Sequence, residues 1–468
     1  MALPSYAPRL RTALVLCGAG TAGAYHAGVL RALAEAGIKI DVVAAHGAGV
    51  LGAMGGAVDT GGRLWSPEGP WTDPRLAGAY RWRRALRVGA VALLVACALM
   101  AAPLLVILAA TGVYALSMLA GLAGFPATAE RLIAAYSATI GWLFDPPVLP
   151  TVVPRLVVLA LLVLVGVLGV AWWRARGARA SKRRARGAVA WSLFGHPLDG
   201  ADAERVALEH AWRLTPGGSA AVPPQRGDVG RRFVELVAEN FGQPGFRELL
   251  VGVHDLDARR DITVGVVGPQ WQAAFQGRRV GAGPRDAEAI ELAQAGDAER
   301  GLLADALIGS LRVPTACEPH DMEWPLAGYW RGERHRWTDR PEIVGRLIDE
   351  VARIGVEQVV LVTPAPPAAL PHDLRARPRD FRARMGEAWR SVETAAFQDA
   401  WAAAASRFSG VFAIRPDHNA IGPFDFAGGY DEGSDRMRTL GELMTQGYDD
   451  AYRQFIEPVV ATGERIDS

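Results

Sequence analysis

The chain has 468 residues, half of them apolar, and its 50 lysines and arginines against 49 aspartates and glutamates leave a formal net charge of +1. That length exceeds one typical domain, and the near-neutral balance excludes a global field drawing the protein to nucleic acid, so no nucleic-acid partner is expected. Cys17, Cys97 and Cys317 are too widely separated for a disulfide framework, and none has a second cysteine or a histidine at metal-ligand spacing; the composition suits a reducing compartment and no metal is expected.

Met1 to Arg11 has no apolar core long enough for a secretory signal. An apolar run then ends in closely spaced glycines, Leu14-Val15-Leu16-Cys17-Gly18-Ala19-Gly20-Thr21-Ala22-Gly23, and passes into Ala24 to Leu33, which reads as a helix. A short strand and a sharp turn follow at Ala44-Ala45-His46-Gly47-Ala48-Gly49 before a second helix. Residues 12 to 57 thus supply the first strands and helices of an α/β core, and 58 to 80 are a Gly/Pro/Trp-rich linker.

Residues 81 to 190 read as a membrane hairpin. Val88 to Phe125 is uncharged, and as one helix it would be about 57 Å long against a hydrocarbon core of about 30 Å. Leu156 to Trp173 just reaches across, so the spans are placed at about 88–118 and 155–173, joined by a loop from Pro126 to Pro154 on the far side. Arg81, Arg83, Arg84 and Arg87 precede the hairpin, and a basic run from Arg174 to Arg186 follows it. By the positive-inside rule both flanks are cytoplasmic, which requires an even number of spans. The expectation is an integral membrane protein with a cytoplasmic soluble domain and membrane lipids as partners; the run Arg174–Arg186 could hold anionic head groups, but solvated positive-inside residues without lipid specificity are the preferred explanation.

Beyond the hairpin, 201–213 and 230–241 have helical apolar spacing, while 214–229 is Pro/Gly-rich and reads as a mobile loop. Glu248–Val253 and Ile262–Val267 read as a strand pair. Val359–Val362 is expected to end the sheet at Pro364-Ala365-Pro366-Pro367. The domain plan is 12–80 and 191–375 for one α/β domain, 81–190 for the hairpin, and 376–468 for a C-terminal helical region with helices near 377–407 and 435–457. Ile421 to Tyr430 is expected to pack over the core, and Gly429-Tyr430-Asp431 is set aside as a catalytic acid motif.

The glycine loop and the small-residue turn, with Trp337-Thr338-Asp339-Arg340-Pro341 before the strand-like 358–362, resemble the patatin-like phospholipases over about residues 12–57 and 230–363. The resemblance implies a three-layer α/β fold, a mainly parallel sheet flanked by helices, here carrying an inserted transmembrane helical hairpin. It also implies lipid acyl ester hydrolysis by a Ser-Asp dyad with no cofactor. Carried over, the oxyanion loop is Gly18, Ala19, Gly20 and Gly23, the elbow is His46, Ala48 and Gly49, and the dyad acid is Asp339. The nucleophile position is Gly47, where the family has serine.

Loss of the nucleophile costs triad hydrolases about 10⁶ in turnover, leaving roughly 10³ to 10⁴ over water. Ala22, Arg340, Pro341, Gly345 and Leu347 also depart from the family pattern. The preferred reading is a catalytically deficient relative that binds lipid or acts as a membrane scaffold, with Asp339 a structural carboxylate paired with Arg340 or Arg336. The alternative is an active acyl hydrolase with a non-standard nucleophile. For that role Cys17 reads as a small buried thiol, Thr21 as a helix cap, and His46 as a lone imidazole without a partner. A minor alternative is a Rossmann-like dinucleotide protein, since Gly18 to Gly23 satisfies GxGxxG and Asp41 follows about 20 residues on.

Overall fold

The computed structural model describes residues 6–59, 61–177, 195–216, 218, 225–277, 288–368 and 380–463. The chain divides into two compact units, Met1–Arg81 with Leu198–Ser468, and Trp82–Pro197.

The first unit begins β1 (Thr12–Leu16), α1 (Ala22–Glu35), β2 (Val42–Ala45) and α2 (Gly49–Asp59). The second unit carries α3 (Arg84–Leu122), α4 (Pro126–Leu143) and α5 (Val153–Gly177). The first unit resumes with β3 (Glu248–Asp255), β4 (Arg260–Val266), β5 (Ala289–Glu291), β6 (His320–Glu323), β7 (Arg334–Thr338), α6 (Ile343–Arg353) and β8 (Gln358–Val362). It closes with α7 (Phe381–Ala405), β9 (Gly410–Ile414) and α8 (Leu440–Ala451).

Nine strands form one sheet in the order β9-β8-β1-β2-β3-β4-β5, with β7 pairing both β3 and β6. The five strands from β9 to β3 run parallel, β4 is antiparallel to β3, and β5 is parallel to β4. A parallel sheet must be covered on both faces, and its strands read as apolar runs. Here every residue of β1, β2 and β8 is buried. Alternation divides the side chains between two cores. Ala13, Val15, Ala44, Val359 and Leu361 pack with Ile343, Leu347 and Val351 of α6 and Phe397 and Ala400 of α7, while Leu14 and Val43 lie with Leu30 and Leu33 of α1 on the other face. The result is three layers, as a mainly parallel α/β sheet requires.

The β3–β4 pair matches the strands expected from the sequence. The expected end of the sheet does not hold. Pro364 to Pro367 follows the end of β8, but β9 pairs with β8 in parallel, Val360 opposite Phe412. The region from 376 is therefore not purely helical. Its Gly410-Val411-Phe412-Ala413-Ile414 run is apolar and β-branched enough for an edge strand. The short strands Gly429–Asp431 and Arg436–Arg438 add an antiparallel ribbon, so Gly429-Tyr430-Asp431 itself is strand.

In the second unit the expected loop from 126 to 154 is largely α4. Pro126 occupies the first helical turn, where its missing N–H costs nothing, and Ala, Leu, Ile and Glu sustain the helix. Pro103 lies inside α3 without ending it. Two helices, Arg84–Leu122 and Val148–Val170, are long and apolar enough to cross a membrane. Arg179 to Arg186 and residues 217 and 219–224 of the expected loop lie outside the described residues, as do the side chains of Arg174 and Arg176, while from 226 the expected loop is already a helix, Arg226–Glu239, built on apolar Val229, Phe233 and Val237 at helical spacing.

Helices α1 and α8 meet backbone to backbone. A Cβ at Gly28 would stand 1.9 Å from the Met444 carbonyl oxygen, and one at Gly447 would stand 2.2 Å from that of Tyr25. Overpacking of this kind typically costs 1–3 kcal/mol. Gly28→Val is expected to destabilise the first unit by about 3 kcal/mol in denaturant titrations. Gly345→Ala, on the open face of α6 with nothing within 4 Å of its Cβ, is expected to stabilise it by about 0.5–1 kcal/mol.

Candidate active site

Strand β2 ends at Ala45, helix α2 begins at Gly49, and the three residues between them make the turn. Gly47 has φ +60°, the left-handed conformation that a nucleophile elbow imposes and that costs a side-chain-bearing residue about 1–2 kcal/mol. Glycine removes that strain. A Cβ at this position would lie 3.0 Å from Oδ2 of Asp339, so residues 47 and 339 stand in dyad reach. The same Cβ would lie 2.5 Å from the Gly18 carbonyl oxygen. Gly49 is equally crowded, its Cβ position 2.5 Å from the Leu16 carbonyl oxygen.

Asp339 follows β7 directly and is fully buried. Its partner is neither expected arginine. Oδ1 sits 3.0 Å from Nδ1 of His46, whereas Arg340 pairs with Glu342 and Asp261, and Arg336 with Asp257. His46 is therefore not a lone imidazole. Burial opposes its protonation, but the Asp339 carboxylate outweighs that and raises its pKa well above the usual value, with the Cys17 thiol as a further hydrogen-bonding neighbour. The turn aims His46 inward because His46 N–H bonds the Leu16 carbonyl at 3.3 Å, which places its side chain behind the elbow. Oδ2 of Asp339 has no hydrogen-bond partner among the described residues.

Two backbone donors at this corner, Ala19 N–H of the glycine loop and Ala48 N–H after the turn, are occupied. Ala48 N–H, the donor directly after the nucleophile position, bonds the Gly18 carbonyl at 2.9 Å. Gly18 has φ +123°, a conformation open to glycine that turns this carbonyl toward the elbow. Ala19 N–H donates to Oε1 of Glu393 at 2.8 Å, and Trp389 Nε1–H donates to the same oxygen at 2.8 Å. An oxyanion hole works when its donors wait unfilled 2.7–3.1 Å from the developing charge. Here a carbonyl and a carboxylate of the protein already take them.

The remaining loop positions are closed by packing. Thr21 N–H bonds the Pro423 carbonyl at 3.1 Å, and its hydroxyl donates to the Gly422 carbonyl at 2.9 Å; Thr21 is at the cap position of α1 but its side chain makes no cap bond. A Cβ at Gly20 would be 1.8 Å from the Pro423 carbonyl oxygen, and one at Gly23, within α1, would strike the Trp71 ring at 2.0 Å. The 421–430 segment thus lies directly over the loop. Arg382 holds it by bonds to the Phe424 carbonyl and to Asp425 at 2.8 and 2.9 Å. Cys17 is buried as expected. Asp41 sits at the opposite end of β1 from the glycine loop, accepting from Thr12 N–H at 2.8 Å.

Sequence reasoning missed Glu393. Its local signal is an acidic residue one turn after Trp389, in α7. Burial pushes its pKa up to about 7, against the bond from Ala19 N–H, and Asp339 nearby adds to the rise. His26, also buried, is pushed down to about 3 by desolvation, while its Nε2 lies 3.1 Å from the Cys17 carbonyl oxygen.

Two measurements follow from this geometry. Glu393 is raised from an ordinary 4.5 to about 7, so its contribution to stability is complete below pH 4.5 and is lost as pH rises through about 7. Glu393→Gln, which keeps an acceptor for Ala19 and Trp389, is expected to flatten this part of the melting-temperature profile of the full chain in detergent. Gly47→Ser is expected to destabilise by more than the 1–2 kcal/mol of its backbone conformation, because its Cβ also meets Gly18. Gly37→Ser has nearly the same φ, +65°, and open space around its Cβ; its thermal unfolding isolates the conformational part. No protein-family model matches the chain, and no curated protein matches it.

Proposed function

We propose that this chain is a membrane-anchored relative of the patatin-like phospholipases that has lost catalysis, with a cytoplasmic α/β domain acting as a scaffold. The observation that carries this reading is the elbow itself. Its backbone is kept at Gly47 within reach of Asp339, yet the attacking oxygen is missing and the donor beside it bonds Gly18. Without a nucleophile there is no acyl-enzyme, and with the Ala19 and Ala48 N–H groups bonded inside the protein, two donors are withheld from a tetrahedral intermediate. Filled donors and a covering 421–430 segment favour the scaffold over lipid binding at the elbow.

Anchoring is supported by two helices of membrane-spanning length, preceded by Arg81, Arg83, Arg84 and Arg87. Because β2 and β3, on either side of the insert, are hydrogen-bonded neighbours in one sheet, the insert returns to its starting side, which an even number of crossings satisfies.

A second reading, an acyl hydrolase with a non-standard nucleophile, has one observation in its favour. Cys17, His46 and Asp339 follow one another in contact, the order of thiol, base and acid in cysteine hydrolases. Against it, Cys17 is buried and reactive thiols require access. Full-length protein in detergent is expected to show no labelling by a fluorophosphonate or an acyl-thiol-trapping probe, and no lysophospholipid turnover above its Asp339→Asn variant. Turnover abolished by Cys17→Ala would overturn the scaffold in favour of the second reading.

A further inference from the structure

Within the Trp82–Pro197 unit, α3 and α5 are packed closely near one end. Gly89 faces Leu164, whose Cδ1 is 3.3 Å from where a glycine Cβ would be, and Ala92 and Ala96 are buried at the contact. Beside this seam runs a groove of about 880 Å³ lined by Val88, Val91, Val95 and Leu99 of α3 and by Leu156, Leu159, Ala160 and Val163 of α5. Arg84 and Arg87 close one end of it. The groove is therefore apolar along its length and cationic at its mouth.

We propose that this groove binds one anionic glycerophospholipid, its phosphate held by Arg84 and Arg87 and an acyl chain lying along Val91, Val95 and Leu159. The inference rests on the membrane anchoring proposed above. Three features select this occupant. Arg84 and Arg87 are one turn apart on one helix face, and neither has an ion-pair partner among the described residues, so both charges are available to a phosphate. From Arg87 to Leu99 the helix rises about 18 Å, close to the roughly 15 Å of one leaflet's hydrocarbon. The basic end is the start of α3, the flank that the positive-inside rule places at the cytoplasmic leaflet, where anionic lipids attract such residues. A soluble anion would leave the apolar length uncovered, and a zwitterionic lipid would leave the arginine pair without net charge compensation. This site is separate in sequence from the basic run at Arg174–Arg186.

The test uses full-length protein reconstituted in vesicles of equal phosphatidylglycerol and phosphatidylcholine, re-extracted in mild detergent, with retained lipid quantified by mass spectrometry. Phosphatidylglycerol is expected to be enriched about tenfold over phosphatidylcholine. The Arg84→Gln/Arg87→Gln double variant is expected to bring the two lipids to parity, and Ala160→Phe, which fills the groove, to reduce retention of both. Parity in the native protein would overturn the proposal. So would a preference abolished by neutralising Lys182, Arg183 and Arg184 but kept in the double variant. Alkaline carbonate extraction of cell membranes separates the two levels: release of the native chain would overturn anchoring and the groove together, whereas retention with lipid parity would overturn the groove alone.

Discussion

The close approach of the Gly18 carbonyl to the turn at Gly47 governs the rest of the first unit's site. That carbonyl takes the Ala48 N–H and stands 2.5 Å from any Cβ at position 47. A side chain there is strained by the left-handed φ and blocked by the carbonyl contact. A serine at residue 47 and a loop in this conformation are therefore mutually exclusive.

Around that contact the protein has built a buried polar cluster. His46 and Asp339 pair behind the elbow, while Glu393 enters from α7 to satisfy Ala19. Buried polar groups are tolerated when they are hydrogen-bonded, as His46 Nδ1, Asp339 Oδ1 and Glu393 Oε1 are here. The loop, the elbow and the covering segment from 419 to 425 then pack without a side chain at positions 18, 20 or 47.

The local order of strand, glycine loop, helix, strand and turn was readable from the sequence because each step has its own period and its own glycine. The three-layer arrangement was expected from the resemblance, and the buried apolar strands at 12–16, 42–45 and 358–362 agree with it. What could not be read was pairing at long range. His46 and Asp339 are 293 residues apart, and Ala19 and Glu393 are 374 apart, so no spacing rule links them. His46 was read as a lone imidazole because the carboxylate that pairs with it leaves no mark near the turn in sequence. Strand β9 was missed because prolines after Val362 end a strand without ending a sheet. Helix α4 was read as a loop because 126–154 was treated only as the connection between two spans, although Pro126 starts a run of good helix formers.

The placement of β1 has a consequence for biosynthesis. This strand lies between β2 and β8, and the second neighbour is made only after both long apolar helices have left the ribosome. At about 5–20 residues per second, β1 waits tens of seconds for its far partner. During that interval an all-apolar strand has one edge unpaired, a condition that invites association with other chains. Truncation anywhere before residue 358 leaves the centre of the sheet open.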